Sequence, residues 1–369
     1  MAITSIINWA DRHDTSFLLL LEFSSLIWFT FYPVLYYETV ICMLRLVIPM
    51  DHKTASEILR IASEIESNGF ADVARGITES KVLGLLFHGA TLRDSSICNL
   101  AAARLNMQSV DLSWSDVDFA DSNTLLEELK MASDAVDLLV TIFSGHETFG
   151  EGRRLTTKFP DYSSVPVISL RDDIYDWQSA LSHIRGFQRE LGDIQGKQIV
   201  INWAFGSTFA SPSIAHGLLA LSALLGANVR VVAPPEFSLL NRVRRKAKEI
   251  ASETGSTYAE ASQFDDAFKD ADAVFSLNWF RLDDFNHPER NPQYASKYKD
   301  WYMTQEIIPE HCVFSTEPTM QTDLTLDSSL LGDSRNITRS WLVRRVRVLA
   351  AGTLHTLRKN GNVTDSSIV

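Results

Sequence analysis

The chain has 369 residues, 45% hydrophobic and 22% charged, which excludes a disordered protein and suits two globular domains of roughly 150 residues each. The net charge of -12 excludes a general nucleic-acid binder, because phosphate contacts need a positive face. Cys42, Cys98 and Cys312 have no metal-like spacing and no even-numbered disulfide framework, so we expect a reducing, cytoplasmic compartment and no metal or other cofactor.

The apolar segment at residues 16–37, SFLLLLEFSSLIWFTFYPVLYY, is as long as a membrane span. Glu22 and Pro33 argue against that interpretation, and the segment has neither the basic leader nor the small-residue cleavage site of a secretory signal. We therefore expect no membrane association, and a membrane anchor is the alternative.

A regular alternation of strand and helix patterns begins at residue 54. The stretch TASEILRIASEIES predicts a helix with Thr54 and Glu57 as a capping box and with one apolar face, formed by Ile58, Ile61, Ala62 and Ile65. Short apolar runs predict strands at 82–88, 109–114, 138–143 and 165–170, with helices at 95–105 and 123–135. Strands that alternate with helices in this way form a parallel sheet.

The second half of the chain repeats this alternation. Its strands are predicted at 197–205, 227–235, 270–279 and 311–318, and its helices at 211–226 and 238–255. The basic run NRVRRKAKE, residues 241–249, predicts a solvated helix face, with an RNA-binding patch as the alternative.

These elements predict an α/β protein of two open parallel-sheet domains, in which ligands bind beyond the carboxyl ends of the strands. After an N-terminal segment at 1–53, the first domain covers residues 54–185 and the second covers 186–335. Residues 336–369 are predicted to form a long helix that returns to the first domain, followed by a tail.

Three phrases of the second half carry a family resemblance: NWAFGSTFASPSIAHGLLALSALLGANVRVVAPPEF, KAKEIASETGSTYAEASQFDDAFKDADAVFSLNW and YKDWYMTQE. They resemble the aspartate and ornithine transcarbamylase family, nearest its N-acetylornithine branch, and the similarity extends over nearly all of residues 54–355. The resemblance implies two domains of the transcarbamylase type, a small-molecule substrate and a homotrimer with sites shared between subunits. The matching FGSTFASPS loop implies the deep chain knot of that branch.

The resemblance also implies a reaction, the transfer of a carbamoyl group from carbamoyl phosphate to an amino-acid amine. The donor is a dianion, so the family surrounds its phosphate with cations at a strand-to-helix turn. The family's S-T-R-T-R motif falls here on Thr91, Leu92, Arg93, Asp94 and Ser95. Thr91 can cap the helix and Arg93 keeps the first arginine, but Asp94 puts a negative charge where the phosphate would sit.

The family's next arginine, at the end of a neighbouring strand, falls near Ile142. We therefore expect a second cation to be missing here. Loss of two charge-assisted contacts would weaken carbamoyl phosphate binding by roughly 10² to 10⁴. The stretch LLFHGATLRDSS, residues 85–96, accordingly looks like the remains of a phosphate site.

The family's H-P-x-x-Q motif falls on YDWQ, where Tyr175 replaces the histidine and Gln178 keeps the glutamine. A phenol can donate a hydrogen bond to a carbonyl oxygen, so the tyrosine changes the role of this position without deleting it. Asp172, Asp173 and Asp176 crowd the same turn. We expect them to be solvated or to cap helices, with a new acid/base or cation site as the alternative.

The family's H-C-L-P loop falls on STEPT, residues 315–319, and only Pro318 is retained. Glu317 in this loop can serve as a general acid or bind an amine, and a surface carboxylate is the alternative. His216 takes the place of an acceptor-binding asparagine, although a lone histidine on a helix is more often structural. Trp279 lies where the resemblance places the acceptor pocket, as an aromatic wall or a specificity residue.

The N-terminal phrase SFLLLLEFSS resembles the family's opening phrase F-L-x-L-L-D-F-S, which runs directly into the first helix. Residues 26–53 interrupt that junction with an apolar insert. Our hypothesis is that the insert is a gene-model artefact such as a retained intron, with Met50 as a competing start. A transcript that joins Ser25 to about Thr54 would support it, and one that encodes the whole insert would refute it.

We expect an enzyme of the transferase type that acts on an amino-acid-like substrate, has an altered donor site and belongs to specialised metabolism. Its catalytic residues are predicted to be Arg93, Tyr175, Gln178 and Glu317. Its substrate-binding residues are predicted to be Thr91, Leu92, His216, Trp279 and Pro318. The alternatives are a non-catalytic homologue and a true carbamoyltransferase whose missing cations come from a neighbouring subunit, for example Arg153, Arg154 or Lys158.

Overall fold

The computed structural model describes residues 45–46, 50–112, 122–145, 149–264, 266–318 and 325–366. The residues from Arg45 onward belong to one compact unit, whose described strands lie in two parallel five-stranded sheets. The predicted α/β class with two parallel sheets is confirmed. The apolar segment 16–37 lies outside the described residues, and within them no helix is both long and apolar enough to cross a membrane.

The first sheet has the strand order β1-β5-β4-β2-β3. Its strands are β1 (Arg45–Leu46), β2 (Val82–His88), β3 (Gln108–Asp111), β4 (Leu138–Phe143) and β5 (Val167–Asp172). All of β4 is buried, because apolar side chains of neighbouring helices pack on both faces of the sheet and leave a central strand without a polar side. The strands predicted at 82–88 and 138–143 match β2 and β4.

The helices around the first sheet are α1 (His52–Asn68), α2 (Phe70–Ala74), α3 (Leu92–Arg104), α4 (Ser122–Ser133), α5 (Glu151–Lys158) and α6 (Trp177–Leu191). The predicted apolar face of α1 is buried. The predicted capping box of Thr54 and Glu57 is wrong, because α1 already begins at His52. Asp51 caps this helix by accepting a hydrogen bond from the Thr54 N–H at 2.6 Å.

The structure describes two features within the predicted insert at 26–53. Arg45 and Leu46 pair in parallel with β5 at the edge of the first sheet, and Asp51 caps α1. A short strand that precedes the first helix therefore comes from within this range, and the insert hypothesis stays a prediction. Residues 26–44 and 47–49 lie outside the described part of the chain.

The second sheet has the strand order β10-β9-β6-β7-β8. Its strands are β6 (Gln198–Trp203), β7 (Asn228–Val232), β8 (Tyr258–Ala261), β9 (Ala273–Leu277) and β10 (Val313–Thr316). The helices of this half are α7 (Ser213–Leu224), α8 (Asn241–Thr254), α9 (Asn291–Ala295) and the final α10 (Trp341–Ser366). The basic run lies on α8 with its charged side chains largely in solvent. α10 packs against α1, α3 and α6.

The helices α6 and α7 approach each other closely at Gly217 of α7. A Cβ atom at this position would lie 2.5 Å from the carbonyl oxygen of Asp176 and 3.2 Å from the Cβ of Ala180. Since the Asp176 carbonyl belongs to the start of α6, it cannot turn away as a flexible side chain would. The missing side chain of Gly217 therefore lets a helix of the second sheet pack directly on α6.

Gly217→Ala is expected to lower the free energy of unfolding by about 1–3 kcal/mol, because it forces the α6 and α7 backbones apart. Gly332→Ala is the matched control, since a Cβ there meets only the Arg339 guanidinium at 3.8 Å, and its effect should stay below about 0.5 kcal/mol. Urea unfolding followed by circular dichroism measures both variants. Equal effects of the two substitutions would contradict the packing argument.

Candidate active site

The candidate active site lies at the carboxyl ends of β2, β4 and β5, the edge at which open parallel sheets bind ligands. β2 leads through Gly89 into α3, and β5 leads through a tight turn into α6. Gly89 has a positive φ of 71°, and a Cβ there would lie 2.1 Å from the carbonyl oxygen of Ser144, which follows β4. Only glycine lets the turns after β2 and β4 come this close.

Thr91 caps α3, as predicted, and forms a capping box with Asp94. The Thr91 hydroxyl accepts from the Asp94 N–H at 3.4 Å, and Asp94 Oδ2 accepts from the Thr91 N–H at 2.9 Å and from the Thr91 hydroxyl at 2.8 Å. Asp94 is only 3% exposed. Its carboxylate therefore occupies the positive N-terminus of its own helix, which is where the family resemblance places the phosphate.

Two arginines face the Asp94 carboxylate. Arg171 Nη2 lies 3.1 Å from Asp94 Oδ2, and Arg345 Nη2 lies 4.0 Å from Asp94 Oδ1. Burial acts to raise the pKa of Asp94, but Arg171, Arg345 and the hydrogen bonds from Thr91 outweigh it and hold that pKa below its ordinary value. Asp94 is therefore ionised at neutral pH and offsets part of the charge of both arginines.

The expectation that a second cation is missing is wrong. Arg171 on β5 is the register partner of Ile142 on β4, so an arginine on the adjacent strand stands beside the position that lacks one. Arg171 also donates to the Gly89 carbonyl oxygen at 2.8 Å, which ties β5 to the turn before α3. Two arginines therefore lie at this edge of the sheet, and the single carboxylate of Asp94 offsets part of their charge.

Gln178, predicted to be catalytic, is fully buried and paired with Arg345. Its Nε2 donates to the Arg345 carbonyl oxygen at 2.6 Å, and its Oε1 accepts from Arg345 Nε. Both the nitrogen and the oxygen of the Gln178 amide therefore bond to Arg345 of α10. The catalytic assignment is corrected: Gln178 is a positioning residue that holds Arg345 against Asp94.

The other residues predicted in the first motif are accessible. Thr91, Leu92 and Arg93 are exposed, Leu92 by 87%. Arg93 lies over the ring of Trp341 at the start of α10, with its Cζ 5.5 Å from the ring centre. This stacking leaves the guanidinium edge free to meet an anionic ligand. Pro318 is half-buried after β10.

Tyr175 is half-buried in the turn between β5 and α6. Arg153 of α5 lies over its ring, with the Cζ 5.2 Å from the ring centre. Burial raises the pKa of Tyr175, while Arg153 and Arg242 oppose that shift. The phenol therefore stays protonated at neutral pH and can donate a hydrogen bond.

Two of the three aspartates of the turn RDDIYDW cap helices, in line with the first interpretation, and Asp172 binds the backbone of its own turn. Asp172 accepts from two N–H groups of its own turn and pairs with Arg153 at 2.8 Å. Asp173 accepts from two N–H groups at the start of α5, and burial raises its pKa to about 6. Asp176 caps α6 by accepting from the Ser179 N–H and hydroxyl.

Glu317 is buried where α6, β10 and α10 meet. Its Oε1 lies 3.1 Å from His183 Nε2 and accepts from Trp341 Nε1 at 3.0 Å, while His183 Nδ1 lies 2.7 Å from the Ser315 hydroxyl. Burial acts to raise the pKa of Glu317, but the contacts with His183 outweigh it and lower that pKa. Glu317 is therefore not the surface carboxylate of the alternative interpretation, and its role as a general acid or amine ligand stays a prediction.

His216 and Trp279, predicted to bind the acceptor, are buried and bonded to the backbone. His216 Nε2 accepts from the Leu240 N–H at 3.1 Å, so its Nδ1 carries the proton and donates to the Ile174 carbonyl oxygen at 2.8 Å. Burial lowers the pKa of His216 to about 4. Trp279 Nε1 donates to the Phe237 carbonyl oxygen at 2.7 Å. Both substrate-binding assignments are corrected to structural ones.

Sequence reasoning missed the cations Arg171 and Arg345. The signal for Arg171 was present, because an arginine in SLRDD ends the strand next to Ile142. Arg345 gave no comparable signal, since it is one of several arginines in the run LVRRVRV. Within the described ranges, no group of three His, Cys, Asp or Glu side chains is placed to hold a metal ion.

Comparison with known proteins identifies relatives of both halves. The family model described as "Aspartate/ornithine carbamoyltransferase, Asp/Orn binding domain" matches residues 203–314. The N-acetylornithine carbamoyltransferase of Xylella fastidiosa is 24% identical over 306 residues, which cover 75% of this chain and 89% of that protein. The ornithine carbamoyltransferase of Caldicellulosiruptor saccharolyticus is 24% identical over 272 residues, which cover 72% and 82%.

The fold has close counterparts among solved structures. The crystal structure of acetylornithine transcarbamylase complexed with acetylcitrulline gives a TM-score of 0.73 at 20% identity, over 81% of this chain and 94% of that one. The matched family model spans the second sheet from the end of β6 to β10, and the similarity to the relatives extends well beyond that range. Residues 203–314 therefore match a model of the aspartate/ornithine carbamoyltransferase family, and the chain is similar over most of its length to N-acetylornithine and ornithine carbamoyltransferases.

Proposed function

We propose that this protein is a transferase that acts on an amino-acid-like substrate and whose donor site no longer takes carbamoyl phosphate. One observation carries the proposal: the Asp94 carboxylate is buried against Arg171 and Arg345 at the N-terminus of α3. The relatives, an N-acetylornithine carbamoyltransferase and an ornithine carbamoyltransferase, support the class of substrate.

A donor phosphate and Asp94 would compete for the same groups. The Thr91 N–H, the Thr91 hydroxyl and Arg171 all lie within 3.1 Å of Asp94 Oδ2. A phosphate dianion at this point would find these hydrogen-bond donors already bonded to Asp94. In addition, a negative charge on the phosphate and the charge of Asp94, about 4 Å apart, would repel each other by about 4 kcal/mol at the effective dielectric constant near a protein surface. The proposed donor therefore carries no phosphate dianion at the N-terminus of α3.

The groups proposed to act on the substrate are those that solvent can reach. Arg93 would hold an anionic part of a ligand, and the Tyr175 hydroxyl would donate to a carbonyl oxygen that gains negative charge during group transfer. Thr91, Leu92 and Pro318 remain proposed substrate contacts. A cytoplasmic homotrimer with shared sites, and a place in specialised metabolism, complete the proposal.

A true carbamoyltransferase is the second candidate, and the gathering of Arg93, Arg171 and Arg345 near one helix N-terminus favours it. In that case Asp94 would swing away when the donor binds and leave the Thr91 N–H and Arg171 to the phosphate. The two candidates differ in a single measurable property, the affinity of the wild-type protein for carbamoyl phosphate.

Asp94→Ser is expected to create an anion site, because it removes the carboxylate and leaves Arg171 and Arg345 unpaired. Inorganic phosphate should then bind at least about 100-fold more tightly than to the wild type. Without phosphate the variant should lose about 3 kcal/mol of stability, and phosphate at about 100 times its Kd should restore about 2.7 kcal/mol. Calorimetric titration and urea unfolding with and without phosphate measure these effects.

Asp134→Ser is the matched control, because Asp134 is exposed and follows α4 at the opposite edge of the first sheet. It should change neither phosphate binding nor stability by a measurable amount. Micromolar binding of carbamoyl phosphate to the wild type would reject the main proposal and favour the second candidate. A folded Asp94→Ser protein that binds no phosphate would show that Asp94 does not occupy an anion site.

Asp94→Asn tests the charge while keeping the shape. The pKa of Asp94 is lower in the folded state than in the unfolded chain. The charge of Asp94 therefore contributes fully to the free energy of unfolding above the pKa of an unfolded-chain aspartate, about 4. This contribution is lost as the pH falls through the lower pKa of the folded state. The wild type should exceed Asp94→Asn in unfolding free energy by about 2 kcal/mol or more at about pH 7, and by less at about pH 3.5. A difference independent of pH, measured by urea titration, would mean that hydrogen bonds alone are responsible.

A further inference from the structure

A cavity of about 730 Å³ lies between α1 and the carboxyl ends of α6, α7 and α8. We call it the rear groove; its lining includes Ser56, Ser63, Arg185, Gln188, Asp193 and Thr254. Since α7 and α8 end just before β7 and β8 begin, the rear groove lies at the amino edge of the second sheet. Its volume is in the range of small-molecule sites, and it shares no residue with the candidate active site.

One wall of the rear groove presents unused hydrogen-bond donors. Arg185 donates through Nη2 to the Ser63 hydroxyl and to Glu66, and its Nη1 has no hydrogen-bond partner among the described residues. Gln188, one turn further along α6, is half-buried and its amide has no partner among the described residues. This wall therefore suits a carboxylate.

The neighbouring arginine is not available for that role. Arg60 also lines the rear groove, but Glu57 and Glu64 already pair with it. Glu66, in contrast, is shared between Arg185 and Arg347, which lies 2.7 Å from it. Two arginines therefore share the charge of Glu66, and Arg185 retains N–H groups that can bind a ligand.

The other wall of the rear groove carries negative charge. The helices α6, α7 and α8 all end there, and the free carbonyl groups of a helix C-terminus carry a partial negative charge. Asp193, two residues after the end of α6, adds a full charge; it is exposed and has no ion pair among the described residues. This wall therefore suits an ammonium group.

We propose that the rear groove binds a free basic amino acid, with its α-carboxylate on Arg185 and Gln188 and its side-chain ammonium at Asp193 and the helix carboxyl ends. From Arg185 to the last residue of α6, Leu191, the helix rises about 9 Å, and Asp193 lies two residues beyond that end. A linear basic amino acid fills this span when the protein side chains reach towards it from both ends. The ligand contacts α1 beside the first sheet and α7 and α8 beside the second. The proposal does not depend on the proposed function.

The test is calorimetric titration of the full chain with L-lysine and with L-norleucine, which has the same backbone and a similar side chain but no side-chain ammonium. We expect saturable binding of lysine and at least roughly 10-fold weaker binding of norleucine. Gln188→Leu and Asp193→Asn should each weaken lysine binding by a similar factor. Glu190→Gln is the matched control for Asp193→Asn, because Glu190 is an exposed carboxylate of α6 outside the groove lining.

Tyr175→Phe separates the two sites, since it changes the candidate active site and leaves the rear groove intact. Lysine binding that persists in Tyr175→Phe and is weakened in Asp193→Asn supports the proposal. Each of three results overturns it: no lysine binding by the folded wild type, equal binding of norleucine, or lysine binding that Tyr175→Phe removes and the two groove variants do not. Circular dichroism of every variant confirms that it is folded.

Discussion

The carboxylate of Asp94 holds the carboxyl edge of the first sheet together. It is buried to 3% exposure, and a buried charge is costly unless other groups solvate it. Thr91, Arg171 and Arg345 do so from the turn after β2, the end of β5 and the final helix. These three segments must therefore meet at one point, and the anion on which their arrangement depends is supplied by the protein itself.

Much of the fold was predictable because buried helices and strands have recognisable apolar patterns in their own sequence. A central parallel strand such as 138–143 is buried on both faces and reads as an uninterrupted apolar run. The start of α1 was not predictable, since Asp51 and Thr54 are both good capping residues and the sequence does not show which one meets a free N–H. The two-residue strand β1 is too short to give any pattern.

The candidate site was predictable only where a residue's position along the chain decides its environment. Thr91 and Arg93 begin a helix after a strand, and Tyr175 follows a strand end, so their places at the sheet edge follow from the alternation of elements. Gln178 and Glu317 have positions that match the family motifs, but the arginine and histidine that pair with them come from distant segments. Partners at such separations depend on helix packing, which a single sequence does not reveal.

The end of β5 couples the two faces of the first sheet mechanically. Arg171 and Asp172 are consecutive, so their side chains leave the strand in opposite directions. One is anchored to Asp94 on α3 and the other to Arg153 on α5. A movement of this strand end that frees Arg171 for a ligand must also disturb Arg153, which lies over Tyr175. A displacement of this strand end is therefore transmitted to the surroundings of the Tyr175 ring as well as to Asp94.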